Sequence, residues 1–460
     1  MRVRMPHYDP VAHGCGIVHI GTGAFHKAHQ AVYTDTALEH GGDWRITGVS
    51  LRSADVARTL NPQNGRYLLL TRDEEGDSAR LIASIDRVLV APDDPEAVIA
   101  AIADPATRIV TITVTEKGYG VDRATGGLDP AHPAIAQDLA AMVPTGLIGF
   151  LVAGLARRKT PLTILSCDNL PENGHITRRL VTEFARHRDP ALADWITKNV
   201  RFPSSMVDRI TPAATDKTLA DAAALLGHPD AAAVETEPFT QWVIEDDFAA
   251  GRPAWDKAGA VFVADVAPYE KMKLRMLNGA HSLLAYAGFI AGYDTVAEAM
   301  KDANLRRIAE RQMIAAAATL PPVPGIDLDA YRVELLARFA NSAIAHRTYQ
   351  IAMDGTEKLP QRIMAPMAES DTPEAFAFAL AAWMRYCVGR TESGETYALR
   401  DPREAQITAV LAGAEQDAAR IQKALSPLLP PHDGRMVAEP LRRMLKDGMA
   451  TTIAGYGANA

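Results

Sequence analysis

The chain opens with short β-branched and apolar runs that alternate with stretches of helical spacing. Gly16-Ile17-Val18-His19-Ile20 reads as a buried strand, an Ala-rich amphipathic stretch follows to Leu38, and Trp44 to Leu51 reads as the next strand. Such runs, separated by helices, give the rhythm of βαβ units on a parallel sheet. Arg108 to Thr115 is almost wholly β-branched, the pattern of a central strand covered on both faces. Leu147 to Lys159 predicts a helix and Pro161 to Cys167 a further strand, which runs into the polar cluster Ser166-Cys167-Asp168-Asn169.

From about Tyr269 the period changes. Apolar residues recur at spacings of three and four through Met276, Leu283 and Leu284, then near Leu305 to Ala317, Tyr331 to Phe339, Ala375 to Met384 and Ile407 to Leu425. A largely helical region is expected there. The fold class read from the pattern is α/β, with a Rossmann-like N-terminal domain over 1-268 and a mostly α-helical C-terminal domain over 269-460. The boundary falls near Val266-Ala267-Pro268, where proline discourages a continuous helix.

Composition narrows the function classes. The 460 residues are 48% hydrophobic and 23% charged, an ordinary globular balance that roughly 150 residues per domain divides into two or three domains. With 48 basic and 56 acidic residues the net charge is -8, which argues against a nucleic-acid partner. No apolar run reaches the roughly 18 residues of a membrane span, and MRVRMPHYDP lacks the apolar core of a signal peptide. A cytoplasmic protein without a membrane partner is expected. Cys15, Cys167 and Cys387 are too scattered for a disulfide framework or a structural zinc site, so no metal is expected.

Candidate chemistry begins directly after the first strand, at Gly21-Thr22-Gly23-Ala24-Phe25-His26. In a dinucleotide fold the first glycine permits the tight turn and the second lets backbone approach a pyrophosphate at a helix start. His26 stands where the third glycine of that pattern would be, so the turn reads either as a nucleotide site or as a plain strand-to-helix connection. Past the second strand, Asp55 is the nearest acid for a ribose, or else a helix N-cap. Arg52 could instead meet a 2′-phosphate, which leaves NAD and NADP open with NAD favoured. Thr115 and Glu116, ending the other central strand, read as nicotinamide contacts or as solvated loop.

Lys273, Asn278 and His281 stand five and three residues apart. On a regular helix they fall at 0°, about 140° and about 80°, with Glu270 at about 60° on the same side. Leu274 and Leu277 share the stripe, which suits a desolvated cleft or a helix start with buried hydrogen bonds. In a cleft, desolvation lowers a lysine's pKa and makes it a usable base, and an Asn amide can donate to an oxygen that gathers charge. Asn169 closes a strand at the carboxyl end, where it could donate likewise or begin an Asx turn.

The segments GIVHIGTGAFHKAHQAVYTD (16–35), TVTEKGY (113–119), SCDNLPENG (166–174), FPSSMVDRITPAAT (202–215), EPFTQWVIEDDF (237–248) and KLRMLNGAHSLLAY (273–286) resemble the polyol-specific long-chain dehydrogenases. That group includes mannitol 2-dehydrogenase and fructuronate reductase. The resemblance implies metal-independent, nicotinamide-linked oxidoreduction of a secondary alcohol on an open-chain polyol or sugar acid. It makes Lys273 the general acid and base, Asn169 and Asn278 the oxyanion site, and His281 a substrate-orienting group. It associates Glu270 and Asp208 with a proton path. The cofactor contacts expected from the turn and the strand ends are Gly21, Gly23, Ala24, Phe25, Asp55, Thr115 and Glu116. The family's members also lack the third glycine.

Residues 345–362 look like fructuronate reductase within that family. Gln350 stands where the mannitol enzymes carry arginine, and Arg347, Lys358 and Arg362 are candidates to hold a substrate carboxylate, against the alternative of a solvated basic loop. The expected reaction is the interconversion of D-fructuronate and D-mannonate with NAD. The alternative is a hexitol dehydrogenase of the same family, and a nicotinamide-binding protein without catalysis is disfavoured.

Overall fold

The computed structural model describes residues 2–122 and 125–458. The chain divides into two compact units, Met1–Ala267 and Pro268–Ala460.

The first unit is built on six parallel strands, β1 (Cys15–Ile20), β2 (Arg45–Ser50), β3 (Ile85–Val90), β4 (Ile109–Ile112), β5 (Leu162–Ser166) and β6 (Val200–Arg201). Their spatial order is β3-β2-β1-β4-β5-β6. That order reverses direction between β1 and β4, and such a switch point opens a crevice at the carboxyl ends of the strands. Side chains alternate across the sheet. Val110 and Ile112 join one apolar core with Ile99, Phe150 and Leu180, while Ile109 joins the other with Tyr67, Trp242 and Trp255.

Three expectations change on inspection. β4 stops at Ile112 rather than Thr115, because the amides of Val114 and Thr115 bond to the Asp168 carboxylate instead of a neighbouring strand. The stretch to Leu38 breaks at His29 into helices Ala24–Ala28 and Gln30–Leu38. It is buried on nearly every side rather than amphipathic. Its cover comes from elements that the hydrophobic pattern did not announce. These are a four-stranded sheet containing Tyr67–Thr71, Ser78–Ile82 and Val234–Thr236, and a three-stranded sheet of Ser205–Asp208, Gln241–Glu245 and Val261–Val263.

The second unit is helical. Helices Gly279–Ile290 and Glu374–Tyr386 are buried along almost their whole length. Helices Ala303–Ala318 and Leu328–Ala340 each bury one face. The periodic stretch near Ile407 to Leu425 is two helices, Glu404–Leu411 and Ala418–Leu425. No helix among the described residues is long and apolar enough to cross a membrane.

Candidate active site

In the first unit the turn after β1 is fixed by one glycine and left bare by the other. Gly21 has φ +100°, and a Cβ there would lie 2.1 Å from the Thr113 carbonyl oxygen beyond β4. Only glycine fits. Gly23 is different, since it is extended at φ −120° and the nearest atom to an added Cβ would be the Gly21 oxygen at 3.7 Å. Neither backbone strain nor packing demands glycine at position 23. An uncovered main chain at a sheet's switch point suits a group that approaches the backbone closely, so the residues present fit a dinucleotide. Ala24 and Phe25 begin the helix that follows, and the hydroxyl of Thr22 is buried without a hydrogen-bond partner.

His26 packs inward. Its ring stacks on His19 of β1 with centroids 3.4 Å apart, and the His19 ring nitrogens lie 2.8 and 2.9 Å from the hydroxyls of Thr111 and Thr113. Burial pushes the His19 ring down to about 3 and holds His26 well below the usual range, with His19 adding to the effect. A stacked imidazole thus occupies the helix–sheet contact that a third glycine would otherwise make close.

Asp55 is not an N-cap. Ala54 holds that position, and Asp55 is the first helical residue, exposed and paired with Arg58 at 2.9 Å. Arg52 is exposed nearby.

Asp168, which the sequence marked only as one of a polar cluster, ties two strand ends together. Its carboxylate accepts from the amides of Val114 (3.0 Å) and Thr115 (2.9 Å) and from the Tyr119 hydroxyl (2.8 Å). Tyr119 also meets the Ser166 hydroxyl at 2.6 Å. Burial raises the Asp168 pKa, opposed by these hydrogen bonds. Asn173 extends the network. It donates to the Asp168 carbonyl and to Ser205, and accepts from the Ser205 amide. Asn169 follows Asp168 on the exposed carboxyl edge, with Thr115 and Glu116 in the adjoining loop. Asp208 ends the strand Ser205–Asp208, buried opposite Gln241.

In the second unit, Lys273–Asn278 is π-helical between two α-helical segments. Hydrogen bonds in such a turn join residues five apart, so the angles expected from α-helical geometry do not hold. Lys273 and Asn278, the ends of the π turn, move toward one side. Lys273 is only 8% exposed, His281 is buried and Asn278 and Glu270 are half-buried. Arg275 anchors the turn. Its guanidinium makes a two-pronged pair with Glu369, each arm 2.7 Å, and donates to the Thr319 hydroxyl at 2.6 Å.

A second π turn, Pro360–Met364, packs beside the first. A Cβ on Gly279 would lie 2.9 Å from the Arg362 carbonyl, so the glycine lets the two turns meet. Arg362 reaches the Ser282 hydroxyl at 3.5 Å. The three cations expected at the substrate part company here. Arg347 is exposed and precedes the short helix Thr348–Ile351, whereas the Lys358 ammonium donates to the carbonyls of Ile351 and Met353. Gln350 is exposed. His281 packs on Phe339 at 4.3 Å and meets His346 edge to face at 4.9 Å. His346, like Arg275 and Asp168, carried no periodic signal that would have marked it as a site residue. Among the described residues, no group of three or more His, Cys, Asp and Glu could hold a metal ion.

Known proteins are similar to this chain over most of its length. Residues 15–257 match the mannitol dehydrogenase Rossmann domain and residues 265–427 the mannitol dehydrogenase C-terminal domain. The chain is 44% identical to D-mannonate oxidoreductase of Escherichia coli, over 90% of this chain and 89% of that protein. It is 40% identical to mannitol 2-dehydrogenase of Phaeosphaeria nodorum, over 99% and 83%. In three dimensions it matches the mannitol 2-dehydrogenase of Pseudomonas fluorescens, solved as a ternary complex with NAD and D-mannitol. The TM-score is 0.89 at 36% identity, covering 100% of this chain and 97% of that one. The chain belongs to the mannitol dehydrogenase family, and is an oxidoreductase acting on secondary alcohols.

Proposed function

We propose that the chain interconverts D-fructuronate and D-mannonate with NAD, the cofactor held by 1-268 and the catalytic groups carried chiefly by 269-460. The observation that carries this reading is the π turn of the second unit. It presents a buried lysine and an asparagine, and the following helix adds a histidine whose Nε2 is buried without a protein partner. Those are the groups that proton transfer to a carbonyl oxygen requires.

The cofactor, when bound, supplies or accepts the hydride at the reacting carbon. Lys273 Nζ gives a proton to the oxygen as the ketone becomes an alcohol and takes it back in the reverse direction. Asn278 donates a hydrogen bond to that oxygen and His281 orients the substrate. The parts assigned to Asn169, as a second donor, and to Glu270 and Asp208, as a proton path, rest on the family resemblance. The turn fixed by Gly21, with the bare main chain at Gly23 and with Ala24 and Phe25, takes the pyrophosphate. Thr115 and Glu116 meet the nicotinamide, and Asp55 takes the ribose.

The similarity to D-mannonate oxidoreductase supports a sugar-acid substrate, as does the glutamine at position 350. The test is a panel of hexuronates, ketoses and hexitols assayed with NADH or NAD and with the phosphorylated cofactors. D-Fructuronate should exceed D-fructose in kcat/KM by roughly a hundredfold, equivalent to about 2.7 kcal/mol of transition-state binding. Equal turnover of D-fructose or D-mannitol would make this a hexitol enzyme.

A further inference from the structure

Helix Ala303–Ala318 buries Leu305, Ile308, Ala309, Met313 and Ala316, and among them a fully buried glutamine, Gln312. Neither end of the Gln312 amide has a hydrogen-bond partner among the described residues. Burying an unpaired amide is costly, and buried polar atoms in native proteins are almost always paired with protein, water or ligand. Leucine or methionine would fill the same helix face without that cost, so the amide points to a role beyond packing.

Its surroundings supply one. Gln312 Nε2 lies 3.3 Å from the point that a Cβ on Gly279 would occupy, and the Arg362 carbonyl oxygen lies 2.9 Å from the same point. A donor and an acceptor thus flank the spot where the two π turns meet. Four residues beyond Arg362 stands Pro366, which has no N–H, so the ordinary α-helical donor to that carbonyl does not exist. The Gln312 amide is close enough for a small shift of its side chain, or one bound water, to supply a donor in its place.

The same junction holds Asn278. This residue immediately precedes Gly279, its carbonyl accepts from the Ser282 hydroxyl at 3.0 Å, and the Arg362 guanidinium reaches that hydroxyl at 3.5 Å. The helix that carries Gln312 also anchors the middle of the first π turn, since Thr319, two helical turns beyond Gln312, accepts from Arg275 at 2.6 Å.

We propose that Gln312 is a positioning residue for the reaction: its amide fixes the main chain where the two π turns meet and so holds the Asn278 side chain on the reacting oxygen. This role rests on Asn278 being the donor to that oxygen, as proposed above, and is independent of which sugar is the substrate.

The experiment measures kcat, KM and NADH affinity in the full-length wild type, Gln312→Met, Gln312→Leu, Gln312→Asn, Asn278→Ala and Gln312→Met combined with Asn278→Ala. The substrate is whichever of D-fructuronate and D-fructose the wild type reduces faster. Gln312→Met should keep its fold and NADH affinity while kcat falls about tenfold or more, as misplacing a catalytic group does, with KM changed much less. Gln312→Asn, which keeps the amide, should recover part of the loss, and the double variant should be no slower than Asn278→Ala alone. Wild-type kcat in folded Gln312→Met or Gln312→Leu overturns the proposal, as do losses that multiply in the double variant. Failure of both apolar variants to fold overturns it too, because the amide then serves folding alone. Wild-type kcat in Asn278→Ala overturns the role of Asn278 instead. Gln312 is then judged by amide exchange over residues 273–279, which must quicken about tenfold in Gln312→Met at an unchanged melting temperature for the positioning role to stand.

Discussion

The Asp168 carboxylate accepts the amide hydrogen of Thr115 at 2.9 Å and holds that β-branched residue at φ 72°, ψ 156°. A non-glycine residue there costs on the order of 1–3 kcal/mol and persists only where its surroundings impose it. Val114 and Tyr119 bond to the same carboxylate, so the loop after β4 takes its shape from a side chain at the end of β5. Asp168→Asn puts an amide donor where only acceptors serve and takes the acceptor from one of the two backbone amides, at about 1 kcal/mol. The expected outcome is a lower melting temperature and a kcat/KM for cofactor reduced about tenfold. Tyr119→Phe, which spares both amide bonds, should do much less. Parallel melting curves and NADH titrations of the two variants check this, and equal behaviour would show that the amide bonds do not shape the loop.

A second prediction concerns Lys273. Lys273→Ala should retain the fold and NADH binding while kcat falls by roughly 10²–10⁴, the usual worth of positioned proton transfer. More than about a tenth of wild-type turnover would remove Lys273 from that role. Because a lysine moves the proton, activity before and after EDTA treatment should be the same.

How much of this was legible in the sequence depends on the range of each interaction. Strands β1, β2 and β5 and the long helices of the second unit follow local apolar spacing, which neighbouring residues alone impose. The end of β4 does not, since it is set by Asp168, more than fifty residues further along the chain. The π turn at Lys273–Asn278 was hidden for a related reason. Its residues read as ordinary α-helix, and the Arg275–Glu369 pair that anchors it joins positions 94 residues apart. Residue types singled out Lys273, Asn278 and His281, but the angular argument assumed one regular α-helix where the chain has a π turn followed by an α-helix. Arg347, Lys358 and Arg362 looked equivalent in sequence, yet Lys358 spends its ammonium on backbone carbonyls.

The histidine pair at the nucleotide turn gives a dependence on pH. Burial holds His19 at about 3 and His26 well below its ordinary 6.5. Between about pH 6.5 and 3 the unfolded chain therefore binds protons that the fold refuses. The stabilising contribution is complete above about 6.5 and is lost as pH falls below it. His26→Met should flatten the slope, as read by amide exchange in strand Cys15–Ile20 at stepped pH. Identical slopes in variant and wild type would place the acid sensitivity elsewhere.

The two glycines of the turn should fail in opposite ways. A Cβ at position 21 meets the Thr113 oxygen at 2.1 Å and adopts φ +100°, so Gly21→Ala combines a backbone clash with left-handed strain and should cost several times the roughly 1 kcal/mol of an ordinary glycine replacement. At position 23 the backbone is extended and the space is open. Gly23→Ala should therefore melt at or slightly above the wild-type temperature, since alanine narrows the unfolded ensemble. Its methyl group would nonetheless stand where a pyrophosphate must approach the main chain. The expected result is a normal melting curve with NADH affinity weakened about tenfold or more, measured by fluorescence titration. Wild-type NADH affinity in a stable Gly23→Ala variant would mean that the bare main chain at this turn is not where the cofactor's phosphates rest.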